Sequence, residues 1–156
     1  MLKIILNHPR HIPPFNEAAC DLRIQNKPLW LAQRDVLAPH TDREVEIPPS
    51  ASLPETKEPC IVYRDNLFFD AGYFKAFLEE GHLRGHACRA ALTLNNAAFR
   101  EHALPLADSY TKEGDLYLAD LWYYPNGPQP NAEPLVIDML AREIGYHHVP
   151  YYMAKE

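Results

Sequence analysis

Apolar and polar positions along the chain change period several times, and each change marks an element. Leu2–Leu6 (LKIIL) is an apolar run that stops at Asn7, and reads as a buried strand covered on both faces. From Asn7 to Asn26 no period survives, and Pro9, Pro13 and Pro14 exclude a regular helix in its first half, so a long loop follows the first strand. Pro28 suits the first turn of a helix in which Leu29, Trp30, Gln33, Val36 and Leu37 recur at helical intervals until Pro39. Arg43–Ile47 (REVEI) alternates as a half-exposed strand, and 48–59 is a Pro-rich connector, open between an ordered loop and an extended linker.

Cys60–Tyr63 (CIVY) predicts the second buried strand, leaving at Arg64-Asp65-Asn66. Asp70 is a suitable N-cap for a helix over Ala71–Glu80, with Tyr73, Phe74, Phe77 and Leu78 on one stripe and Gly81 closing it. Ala87–Leu94 reads as a strand, Asn95 or Asn96 caps a short turn of helix to Glu101, and Asp115–Tyr124 (DLYLADLWYY) is a long aromatic strand. The turn Pro125-Asn126-Gly127-Pro128 follows, with strand candidates at Leu135–Ile137 and His148–Tyr152. Strands alternating with helices predict one α/β domain over 1–156, a three-layer sandwich around a mostly parallel sheet. In such sheets ligands bind beyond the carboxyl ends of strands, which singles out the loop after Leu6 and the segment after Tyr63.

Composition narrows the function classes. With 156 residues, 47% hydrophobic and 23% charged, the chain is globular rather than disordered. Its formal charge of −6 and scattered basic residues predict no nucleic-acid partner. No apolar run nears the roughly 20 residues of a membrane span, and MLKIILNHPR lacks the parts of a secretory signal. Cys20, Cys60 and Cys88 form no C-x-x-C pair, so reduced thiols in a cytoplasmic protein are expected.

Short motifs then carry a resemblance. Asp21-Leu22-Arg23, Lys27-Pro28-Leu29-Trp30, Tyr63-Arg64-Asp65-Asn66 and Tyr117–Gly127 are similar to the front domain of bacterial two-part proteins whose other half is a left-handed β-helix acyltransferase. Over about the first 130 residues the order of elements resembles the sugar-nucleotide nucleotidyltransferases, with a glycosyltransferase A-type fold, truncated. The resemblance implies nucleotidyl transfer to a sugar phosphate with Mg²⁺. It places Mg²⁺ on Asp65, Arg23 and Lys27 as catalytic cations at the phosphates, and Asn7, His8, Arg10, Arg64 and Asn66 around the substrate. A β-helix acyltransferase half or a second copy of the chain is the implied partner. The chain also departs from that pattern. Asn7-His8-Pro9-Arg10 stands where glycines would wrap a triphosphate, Ala19 falls near the family's phosphate-binding lysine, and only 38 positions separate Lys27 from Asp65. These departures favour a silent domain, binding a sugar nucleotide or assembling with the acyltransferase. The uncapped end at Val149–Glu156 reads as the front part of a longer protein.

Simpler roles compete for each residue. Asp65 also suits a plain strand-to-turn cap, and Arg10 and Arg23 can pair with Glu17 and Asp21. His82 and His86 have helical metal spacing but two glycines in the turn, and His147-His148 point opposite ways on a strand. No nucleophile motif or Cys/His dyad is visible, and Ser50, Ser52 and Ser109 lie in connectors. A small metal-dependent hydrolase using Asp65, Asp70 and His82 is a third reading. The tryptophan on the first helix reads as core.

Overall fold

The computed structural model describes residues 1–7, 11–12, 17–18, 23–24, 27–65, 67, 69, 71–93 and 111–137, with backbone alone at 11–12, 17–18 and 23–24. In chain order the elements are β1 (Leu2–Leu6), β2 (His11–Ile12), β3 (Glu17–Ala18), β4 (Arg23–Ile24), β5 (Lys27–Pro28), α1 (Leu29–Leu37), β6 (Arg43–Ile47) and β7 (Cys60–Arg64), followed by α2 (Ala71–Arg84), β8 (Cys88–Leu92), β9 (Thr111–Glu113), β10 (Leu116–Tyr124) and β11 (Glu133–Val136). The Asp70 cap, the turn at 95–101 and the strand at His148–Tyr152 lie outside the described residues.

A seven-stranded sheet runs β11-β8-β10-β7-β1-β6, with β9 beside β10. β1 pairs in parallel with β6 and β7, β11 in parallel with β8, and β10 antiparallel with β7, β8 and β9. Among the described strands of this sheet β10 alone runs against the rest, and through it three of the six ladders are antiparallel, so the sheet of this α/β fold is mixed where a mostly parallel one was expected. β1 lies inside it, and its Leu2, Ile4 and Ile5 are buried, as the apolar run requires.

Alternation along the strands divides the core. Ile5, Ile61, Tyr63, Cys88, Ala90, Leu121 and Tyr123 face Leu37 of α1 and Tyr73, Phe74, Phe77 and Leu78 of α2. Leu2, Ile4, Ile47, Cys60, Val62, Trp122 and Tyr124 share the other face. Both described helices therefore pack on one face. Among the described residues the architecture has two layers, one fewer than the sandwich expected.

Several boundaries move for local reasons. α2 continues through Gly81 to Arg84, and Gly85, at φ 70°, takes the left-handed position that closes it. Gly81 serves packing instead: a Cβ there would lie 2.8 Å from Cδ2 of Tyr123, so its absence lets α2 approach β10. Trp30 is not core. It is 37% exposed, with the Arg34 guanidinium 5.0 Å from its ring centroid. The stretch between β1 and α1 contains two short antiparallel ribbons, β2–β3 and β4–β5, whose two-residue strands are too short to show a period.

The 48–59 connector is an ordered loop. Glu58 pairs with Arg43, Ala51 N–H donates to Pro48 O at 3.0 Å, and Thr56 packs against the backbone of Gly127. Burial around this sheet also sets a pH limit. It pushes the Cys60 thiol up to about 11 and the Tyr124 phenol up to about 12, and moves Tyr63 and Tyr73 upward as well. Above about pH 9 the unfolded chain releases these protons while the folded chain keeps them, so the unfolded state binds fewer protons and stability falls as pH rises. Urea midpoints are expected to decline between about pH 8 and 10.5, with Cys60 contributing on the order of 1 kcal/mol by pH 10. Cys60→Ala should flatten that decline.

Candidate functional site

The chain leaves β1 toward β6 on one side, whereas β7 lies on its other side, so the carboxyl ends of β1 and β7 meet where strand order reverses. Crevices at such points hold ligands in open α/β sheets. Both first residues beyond these strands are fixed by backbone bonds: Asn7 N–H donates to Ile47 O at 3.0 Å and Asp65 N–H to Leu6 O at 3.0 Å. Across the gap Asn7 Nδ2 donates to Asp65 Oδ2 at 3.2 Å. Asp65 is only 6% exposed, so a carboxylate stands at the end of an apolar sheet, oriented by an amide.

α1 supports this point from the side. Gln33 is buried, and its Nε2 donates to Leu67 O at 2.6 Å and Arg64 O at 3.4 Å. That satisfies a polar group inside the core and ties the segment after β7 to the helix. Gln33 sits at i+4 from Leu29 and i−4 from Leu37, so its spacing alone places it on the apolar stripe and discloses no polar task.

Of the remaining site residues, Lys27 and Arg64 have other partners. Lys27 Nζ pairs with Asp35 Oδ2 at 2.5 Å, and both side chains are about half exposed. Arg23 lies in β4, its backbone opposite Pro28. His8, Arg10 and Asn66 lie outside the described residues. Arg64 shares the face of Cys60 and Val62, and its Nε donates to Asp120 Oδ2 at 2.8 Å. The structure thus joins Asn7 with Asp65 and turns Arg64 toward Asp120.

Two constellations were not visible in the sequence. Arg89 of β8 donates from Nη2 to Asp120 Oδ1 at 2.9 Å, so Asp120 bridges two arginines across three strands. The signal was a lone acid inside DLYLADLWYY, whose partners appear only once strand register is known. A Cys/His pair also exists: Cys88 Sγ lies 3.9 Å from His86 Nδ1, and His86 Nε2 is 2.7 Å from Glu133 Oε2. It is not a nucleophile. The thiol is fully buried, donates to His86 O at 3.3 Å, and burial raises its pKa, all of which favour the neutral form.

Metal geometry is equally selective. Among the described residues no three His, Cys, Asp or Glu side chains gather to hold an ion. His82 packs edge-on to Tyr123 at 5.2 Å, and Tyr123 pairs with Ile61 near the amino end of β7, so the hydrolase reading loses its histidine. A groove of about 550 Å³ between 53–57 and 128–130 also lies toward that far end of β7. No protein-family model matches this chain, and no curated protein matches it. The functional reading therefore rests on Asn7, Asp65 and what surrounds them. Among the described residues no helix is long and apolar enough to cross a membrane.

Proposed function

We propose that the site at the carboxyl ends of β1 and β7 binds a nucleotide or sugar phosphate together with Mg²⁺, as a divergent, shortened nucleotidyltransferase-like domain of glycosyltransferase A type. The observation that carries this reading is the Asn7–Asp65 pair at the reversal of strand order. Asp65 would hold the ion, which when bound offsets phosphate charge. Asn7 keeps the carboxylate aimed. Lys27 can leave Asp35 for a phosphate at little cost, since an exposed ion pair is worth about 0–1 kcal/mol. Arg23, on the facing strand of the same ribbon with its backbone opposite Pro28, would be a second phosphate-binding cation. The free Cys60 and Cys88 thiols suit a cytoplasmic setting.

Titration calorimetry with UTP and the other nucleoside triphosphates, each with Mg²⁺, tests the reading. Saturable heat is expected, with affinity about tenfold or more weaker in Asp65→Asn, since a charged partner in a partly dry site is worth at least about 1.4 kcal/mol. Absence of heat with every nucleotide would sink it. A second reading is favoured by the burial of Asp65 and its engagement by Asn7: a silent domain that binds a sugar nucleotide or assembles with a β-helix acyltransferase. Release of pyrophosphate on adding a sugar 1-phosphate selects transfer; binding without release selects the silent domain.

A further inference from the structure

Three charged side chains from three neighbouring strands converge on the sheet face away from the helices. Arg64 of β7 and Arg89 of β8 each occupy one oxygen of the Asp120 carboxylate on β10, at 2.8 and 2.9 Å. Their side chains are 28%, 17% and 14% exposed. Two positive charges share one negative, and neither arginine has another carboxylate within ion-pair distance among the described residues. A cross-strand staple needs one arginine per carboxylate; a second adds a charge that must be desolvated.

The cluster is also held in a fixed shape. β10 slips register against β8 between Leu118 and Trp122, and within that irregularity the Ala119 carbonyl accepts from Arg89 Nε at 2.9 Å. The Trp122 ring lies 4.5 Å from the same guanidinium carbon. Arg89 is thus immobilised by three partners. Arg64 uses Nε alone, which leaves the four N–H bonds of its two terminal nitrogens without a described acceptor. A guanidinium fork of that kind, oriented from behind and partly open in front, matches the paired oxygens of an oxyanion.

We infer that Arg64 and Arg89, set by Asp120, bind the oxyanion group of a small molecule, a phosphoryl or carboxylate group, on the sheet face opposite the helices. One negative charge on the ligand balances the cluster. The site stands on its own geometry and needs no metal at Asp65.

The chain has two tryptophans, so Trp30→Phe leaves Trp122, beside Arg89, as the single reporter. In that background, with chelator present, inorganic phosphate and acetate are titrated separately while Trp122 emission is followed. A saturable response is expected, weaker by about tenfold or more in Arg64→Gln, intermediate in Arg64→Lys, and little changed in Asp65→Asn. Far-UV circular dichroism should be the same throughout, because Asp120 keeps Arg89; if Arg64→Gln loses its fold, Arg64→Lys carries the comparison. Response to phosphate alone assigns a phosphoryl group, and response to acetate a carboxylate. No saturable response to either, or equal affinity after Arg64 is changed, overturns the site. Loss in Asp65→Asn with retention in both Arg64 variants moves the anion to the ends of β1 and β7, which overturns the cluster and leaves the proposed function standing.

Discussion

Replacing Gly127 by alanine is expected to destabilise the protein by about 2–5 kcal/mol, through two separable causes. Gly127 sits at φ 85°, where a side chain costs about 1–2 kcal/mol. A Cβ there would also overlap the Thr56 carbonyl, lying 2.7 Å from its carbon and 3.1 Å from Lys57 Cα. Both obstacles are backbone, so neither can rotate aside, and relieving overpacking of that kind costs about 1–3 kcal/mol more. Gly85→Ala isolates the first cause, because φ is 70° there and nothing beyond the adjoining backbone lies within 4 Å of the place its methyl group would take. For a chain of this size the Gly127 variant should melt roughly 5–15 °C lower, and the Gly85 variant only a few degrees lower. Equal losses in the two would mean that the connector does not rest on the turn after β10.

The same contrast shows what a sequence discloses. Gly81 and Gly85 are alike as letters, and the spacing of the stripe alone makes the first the helix stop. Closing a helix needs a left-handed φ, whereas Gly81 answers to a ring on another strand, and neither property is local to the letter. The buried strands β1 and β7 were legible because four apolar residues in each, ended by polar ones, leave few alternatives. Their direction was not, since hydrophobic patterning is blind to it, and so the antiparallel course of β10 and its place between β7 and β8 emerged only from pairing. The candidate site was legible in part. The rule that ligands meet strand carboxyl ends picks out Asn7 and Asp65 without knowledge of their contact, while Arg64 is drawn in by adjacency and then turned away by alternation. Asp120 and Arg89 were missed because an ion pair across three strands depends on register, which a slip in β10 alters.

Phe74→Ala is expected to cost about 3–5 kcal/mol, the range for truncating a fully buried phenylalanine. Its ring joins three parts of the chain: the helix α2 that carries it, Phe69 at 6.0 Å in the segment after β7, and His40 at 5.3 Å beyond α1. Phe69 in turn stands edge-on to Tyr63 at 5.6 Å, two residues before Asp65. A cavity at Phe74 therefore loosens the packing that holds the stretch from Tyr63 to Phe69, and with it the position of Asp65 opposite Asn7. Leu83→Ala on the same helix removes a side chain that is 82% exposed and should change stability by less than about 0.5 kcal/mol. Urea unfolding of both variants measures the difference. Because the ring acts on Asp65 only through Phe69 and Tyr63, nucleotide affinity in Phe74→Ala should fall less than in Asp65→Asn under conditions where both remain folded. A loss of binding equal to that of Asp65→Asn would place the ligand against α2 instead of at the strand ends.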